Sequence, residues 1–98
     1  MNAEIKYRIK ERSFLASIAA SVLRVKKVAM VIGSVIHLHN TSREEFEKNT
    51  RWLRHELCHV RQFREHGFLP FLFKYLVETI RRGYYNNRFE VEARKAEQ

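Results

Sequence analysis

Residues 51–66 read Arg51-Trp-Leu-Arg-His-Glu-Leu-Cys-His-Val-Arg-Gln-Phe-Arg-Glu-His66. Trp52, Leu53, Leu57, Val60 and Phe63 fall at helical spacing and supply one apolar back face. Arg51, Arg54, Arg61 and Arg64 take the wet side. The spacing predicts a helix over residues 51–66, capped by Asn49 or Thr50 and ended by Gly67. His55 and His59, four apart, share a face of that helix with Cβ atoms about 5–6 Å apart.

The flanking segments build outward from this helix. Thr41 and Ser42 each stand three residues before a Glu, giving two overlapping capping boxes and a short helical turn. Before them, 27–32 and 34–39 are β-branched runs around Gly33, the pattern of a hairpin. In its second arm Ile36 and Leu38 face one side and His37 and His39 the other. Residues 13–24, rich in Ala and Leu, start at Ser13 as a helix with an N-cap. After Gly67, Pro70 suits the first turn of a further helix. There Lys74, Glu78, Arg81 and Arg82 make a narrow polar stripe, so that helix is predicted to be mostly buried. Gly83 ends it, and Asn86 or Asn87 caps a last helix running towards Ala96. The expected fold is α+β: a helix-rich single domain over residues 1–98, with a small hairpin or three-stranded sheet and an active-site helix.

Composition bounds the function. The 98 residues suffice for one domain, and 45% hydrophobic content with seven Phe excludes a disordered chain. The formal net charge of +8 favours acidic partners. All eleven acidic residues are Glu, so carboxylate chemistry must use Glu. A lone cysteine, Cys58, forbids an internal disulfide and points to a reducing, cytoplasmic setting; packing is its expected role. No run reaches the roughly 20 apolar residues of a membrane span. Residues 13–23 loosely resemble the core of a signal peptide, but Glu4 and Glu11 occupy the head that should be positive, so an internal helix is expected.

His55, Glu56 and His59 form the motif His-Glu-x-x-His. Two imidazoles on one helix face can share a zinc ion, and Glu56, about 100° round the helix, stands beside the metal without needing to bind it. From there it can take a proton from zinc-bound water. A catalytic zinc needs a third protein ligand. The residues alone leave Glu65, His66, Glu78, Glu90, Glu92, His37 and His39 as candidates. His66 is about two turns beyond His59, too far along the helix.

Residues 36–66 and 84–94 carry a resemblance: Ile36-His-Leu-His-Asn-Thr41, then His55-Glu-Leu-Cys-His-Val-Arg-Gln-Phe63, then Asn86-Asn-Arg-Phe-Glu-Val-Glu-Ala93. Together they resemble the gluzincin metallopeptidases, and the small size is similar to the minigluzincins. The resemblance implies a cleft lined by an upstream strand, and a later helix that supplies a Glu as third zinc ligand. That Glu typically opens a Glu-x-x-Ala-Asp pattern. Glu90-Val91-Glu92-Ala93 matches its first four positions and nominates Glu90, with Glu92 as the alternative. Arg94 stands where the pattern has Asp, which leaves that Asp's supporting hydrogen bond unassigned. A capping box with Asn87 is the other reading of Glu90.

The expected function is therefore a zinc metalloendopeptidase acting on peptide or unfolded protein, with His55, His59 and Glu90 binding Zn2+ and Glu56 activating water. The strand Ser34 to His39 is the expected substrate-binding edge. Tyr84 or Tyr85 is placed to donate to the oxyanion. The basic tail Met1 to Arg12, folded over the cleft, would make the enzyme latent. Two rival readings remain: a basic nucleic-acid-binding module, weakened by cations scattered along the whole chain, and a structural zinc domain without catalysis.

Overall fold

The computed structural model describes residues 5–98. Its elements run β1 (Arg8–Lys10), α1 (Phe14–Leu23), β2 (Val28–Ile32), β3 (Val35–His39), α2 (Arg43–Lys48), α3 (Thr50–His66), α4 (Phe68–Asn86) and α5 (Arg88–Ala96). The α+β class is as expected: five helices against one three-stranded sheet.

The strand order is β1-β3-β2. β2 and β3 are antiparallel with Ile32 opposite Val35, so the turn is Gly33-Ser34. Gly33 takes φ 67, the positive φ that tight hairpin turns require at their first position. β1 joins the other edge of β3, in parallel, with Ile9 opposite Ile36.

Helices cover both faces of the sheet. Ile36 and Leu38 of β3 are fully buried and pack with Phe46 of α2 and Val60 of α3; Ala29 and Val31 of β2 join them. The alternate residues Val28 and Met30 point the other way, against Ala16 and Ala20 of α1. Ser13 caps α1 by accepting from the Ala16 N–H, and its hydroxyl lies 2.7 Å from His37 Nδ1. A third cluster, Phe63, Phe71 and Phe89, joins α3, α4 and α5.

The helix boundaries follow the capping signals. Ser42 accepts from Glu45 N to start α2, and Asn49 accepts from Trp52 N to start α3. Gly83, at φ 82 and ψ 162, breaks α4 before its last residues. Asn87 accepts from Phe89 N to start α5, and its amide donates to Tyr75 O and Thr79 Oγ1, which ties α5 to α4.

Three expectations are corrected. The helix after Gly67 is not mostly buried: only Phe71 and Glu78 are buried along α4, while Leu69, Phe73, Leu76 and Ile80 are exposed. Glu78, read as part of a wet stripe, is instead buried, accepts from Arg88 N and pairs with Arg82 and Arg88. The cause is size, since so few elements cannot cover both sides of every helix. The described part of the tail does not fold over a cleft: residues 8–10 are a strand on the sheet edge remote from β2, and residues 1–4 of that expectation lie outside the described residues. Lastly, the segment Ser34 to His39 does not offer a free edge. β3 is the central strand, paired on both sides, and the strand with an unpaired edge beside the site is β2.

Candidate metal centre

α3 carries Glu56, Cys58, His59, Val60, Gln62 and Phe63 as its buried residues. His55 and His59 lie one turn apart with ring centroids 5.0 Å from each other. Glu90, in the first turn of α5, meets them. His55 Nε2 lies 3.2 Å from Glu90 Oε1, and His59 Nε2 lies 3.3 Å from the same oxygen and 3.2 Å from Oε2. One ligand atom from each of the three falls within 4.8 Å of the others. Donors bound about 2.0–2.2 Å from a tetrahedral zinc stand roughly 3.3 Å apart along the tetrahedron's edge. The separations to Glu90 match that edge, and two imidazoles with one carboxylate are a donor set zinc accepts, so the residues fit such an ion.

The neighbouring side chains hold this arrangement. Tyr75 of α4 donates its hydroxyl to Glu90 Oε2. His55 Nδ1 lies 2.8 Å from Glu97 Oε2, and His59 Nδ1 lies 2.8 Å from Gln62 Oε1. Tyr75, Gln62 and Glu97 lie outside the motifs that the sequence offers. Gln62 had a findable signal, three residues after His59 on the same helix; Tyr75 and Glu97 had none.

The charges reinforce one another. Burial alone would raise the Glu90 carboxyl, but hydrogen bonds from His55, His59 and Tyr75 hold it well below the usual carboxylate range. Burial opposes charge on His55, yet the hydrogen bond to Glu90 and the nearby Glu56 and Glu97 carboxylates push it up to about 9 in the metal-free protein. His59 is raised against its burial by Glu90 in the same way. Glu56 is different. Burial pushes its carboxyl up to about 7, partly offset by His59 and His55. No described residue donates a hydrogen bond to it, and it lines the cleft with the three ligands.

That cleft, about 480 Å3, runs along the free edge of β2. All five β2 residues line it, from both faces of the strand, with Ala19 and Leu23 of α1 and Phe71, Leu72 and Tyr75 of α4. Its charged lining is the cluster itself.

The other sequence candidates lie elsewhere. Glu92 accepts from Gln62 Nε2 at 2.7 Å and sits near Arg61, away from the cluster. Glu90 does not close a capping box, because Asn87 N–H donates to Tyr84 O. His37 is held by Ser13, with its pKa lowered first by burial and then by Lys10. His39 lines a separate depression with Ser42 and Glu45. His66 packs edge-on to Phe89, and Glu65 pairs with Arg61. Cys58 is buried, which pushes its thiol up to about 11, as a packing residue requires. Tyr84 lines the cleft, whereas Tyr85 lies under the Arg94 guanidinium, 3.9 Å from its ring centroid.

Fold and site together define a small α+β domain in which a helix pair and a following helix bring two imidazoles and a carboxylate to one point. Over residues 13–67, more than half of its length, the chain matches the eCIS core domain, a domain in extracellular contractile injection systems. The chain belongs to that family. The match runs from the N-cap of α1 to the end of α3, so it includes His55, Glu56 and His59 and stops before Glu90. No curated protein and no solved structure matches the chain. No helix among the described residues is long and apolar enough to cross a membrane.

Proposed function

We propose that this domain is a zinc-dependent peptidase of gluzincin type. The observation that carries the reading is the convergence of His55, His59 and Glu90 beside Glu56, a largely buried residue that lines the same open cleft. A zinc that merely staples a fold has no need of that fourth group.

Zinc, when bound by His55, His59 and Glu90, supplies a positive charge that polarises a carbonyl oxygen and acidifies water near neutral pH. Glu56 accepts the water proton on its carboxylate and delivers it to the departing amine nitrogen. Its place in the cleft beside the three ligands is the position such a base needs. Tyr84 lines the cleft and, as a phenol that keeps its proton at neutral pH, serves as donor to the oxygen that gains charge. An extended substrate pairs with the free edge of β2 by strand addition. The apolar lining from Leu23, Val28, Met30 and Leu72 favours a hydrophobic side chain beside the scissile bond.

Metal analysis of the purified protein beside His55→Ala tests the centre, with stoichiometric zinc expected in the first and none in the second. Hydrolysis of unfolded protein by Glu56→Gln tests the chemistry. Turnover should fall by about 10²–10⁴-fold with zinc retained. Bound zinc with no Glu56-dependent hydrolysis would leave a structural metal site.

A further inference from the structure

We propose that Glu97 and Gln62 are positioning residues that fix the tautomer and ring orientation of the two histidine ligands, with Glu97 as the dominant partner. The inference rests on the metal reading above and assigns residues that the motif does not contain.

An imidazole that ligates through Nε2 must carry its proton on Nδ1, and that proton needs an acceptor. For His55 the acceptor is Glu97 Oε2, 2.8 Å from Nδ1. An ionised carboxylate only accepts, so Nδ1 keeps its proton towards Glu97, and the proton that Nε2 shares with Glu90 in the metal-free protein is the one a bound zinc would replace. For His59 the acceptor is Gln62 Oε1, also at 2.8 Å. The orientation of this amide is determined by its other end. Gln62 Nε2 lies 3.1 Å from Phe89 O and 2.7 Å from Glu92 Oε1, both acceptors, so the amide nitrogen must point there and the oxygen towards His59.

Glu97 is itself held. Its second oxygen, Oε1, lies 3.3 Å from Arg51 Nη2, and its backbone oxygen accepts from Arg54 Nη1 at 3.4 Å. Both arginines belong to α3, the helix that carries His55, so the end of α5 is tied to the ligand it orients. Arg94, which stands where the resemblance has an acidic residue, does something else: it donates to Tyr85 O at 2.6 Å and covers the Tyr85 ring. The carboxylate thus comes from three residues further along the chain. A charged acceptor raises the basicity of its histidine more than a neutral amide does, which makes Glu97 the stronger of the pair.

The test measures zinc affinity of the full chain by competition with a chelator for wild type, Glu97→Ala, Glu97→Gln and His55→Ala. Thermal unfolding of each metal-free protein and the absorption spectrum of each cobalt-loaded one accompany it. Glu97→Ala should bind zinc about 10–100-fold more weakly and alter the cobalt spectrum. Glu97→Gln, which keeps an acceptor oxygen without the charge, should fall between it and wild type. Should Glu97→Ala fail to fold, the Gln variant carries the comparison. Unchanged zinc affinity and cobalt spectrum in the folded variants, whatever happens to Tm, would overturn the assignment and reduce Glu97 to a helix-end contact. In that case His55→Ala would still lose zinc. A wild-type chain that binds no zinc would overturn the metal reading and this inference together.

Discussion

One wall of the cleft, made by α3 and α5, is polar and buried, whereas the opposite wall, made by α1, the edge of β2 and α4, is apolar and borders exposed surface. On the polar wall nearly every side chain has a partner: Glu90 with Tyr75 and both histidines, His55 with Glu97, His59 with Gln62. Glu56 is the exception, and it faces the cleft. On the apolar wall Leu23 and Leu72 line the cavity while their neighbours Val22 and Phe73 are 74% and 69% exposed. Buried polar groups hold a fixed geometry only when all are satisfied, and no buried side-chain nitrogen or oxygen among the described residues lacks a partner. An uncovered apolar wall adds no geometry but can bind an apolar chain.

Breaking the polar wall should have the largest effect. Glu90→Gln is expected to abolish zinc binding, measured by metal analysis, while circular dichroism shows α5 intact, because Asn87 rather than Glu90 caps that helix. The base of the apolar wall comes next. Phe71, 2% exposed and packed against Phe63 and Phe89, should cost about 3–5 kcal/mol of folding stability when replaced by Ala, read by urea denaturation. Leu69→Gln, two residues earlier on the exposed side of the same helix, should change stability by less than about 0.5 kcal/mol. A charge placed inside the cleft, Leu72→Glu, should raise KM for peptides with apolar side chains by about tenfold without altering zinc content.

The comparison is sharpened further through pH. In the metal-free protein the His55 pKa is raised to about 9, so its contribution to stability is full below 6.5 and lost as pH rises through 9. Glu56, raised by burial to about 7, adds a cost that grows from pH 4.5 upward until it is fully ionised. Both act in the same direction, so the Tm of chelator-treated protein should fall between pH 6 and 9. Zinc-loaded protein should show a flatter profile, because the metal replaces the proton on the histidine. Equal slopes for the two forms would count against His55 as a ligand.

Much of this was legible because local rules decide it. Ser13, Ser42, Asn49 and Asn87 each start a helix where a side-chain oxygen meets an orphan N–H. Gly33 turns the hairpin, and the His-Glu-x-x-His spacing puts two rings on one face. β1 is not expected from the residues alone although Ile5-Lys-Tyr-Arg-Ile9 alternates like a strand, because its basic side chains equally suit a solvated tail. The burial of α4 was misjudged because periodicity shows which face is apolar and not whether anything covers it. The substrate edge was assigned to β3 because strand order is invisible in a hairpin: either arm can be the outer one until a third strand chooses a side.

The amino-acid order alone thus determined the helices, the hairpin, the caps and the histidine pair, all set by interactions spanning a few residues. Which carboxylate meets those histidines, which strand is left open, and which group holds the His55 ring depended on packing between residues roughly 30 to 40 positions apart. Such meetings are decided by how Phe63, Phe71 and Phe89 close three helices on one another. No short-range rule encodes that closure, because its free energy comes from burying surfaces that are brought together only when the chain folds.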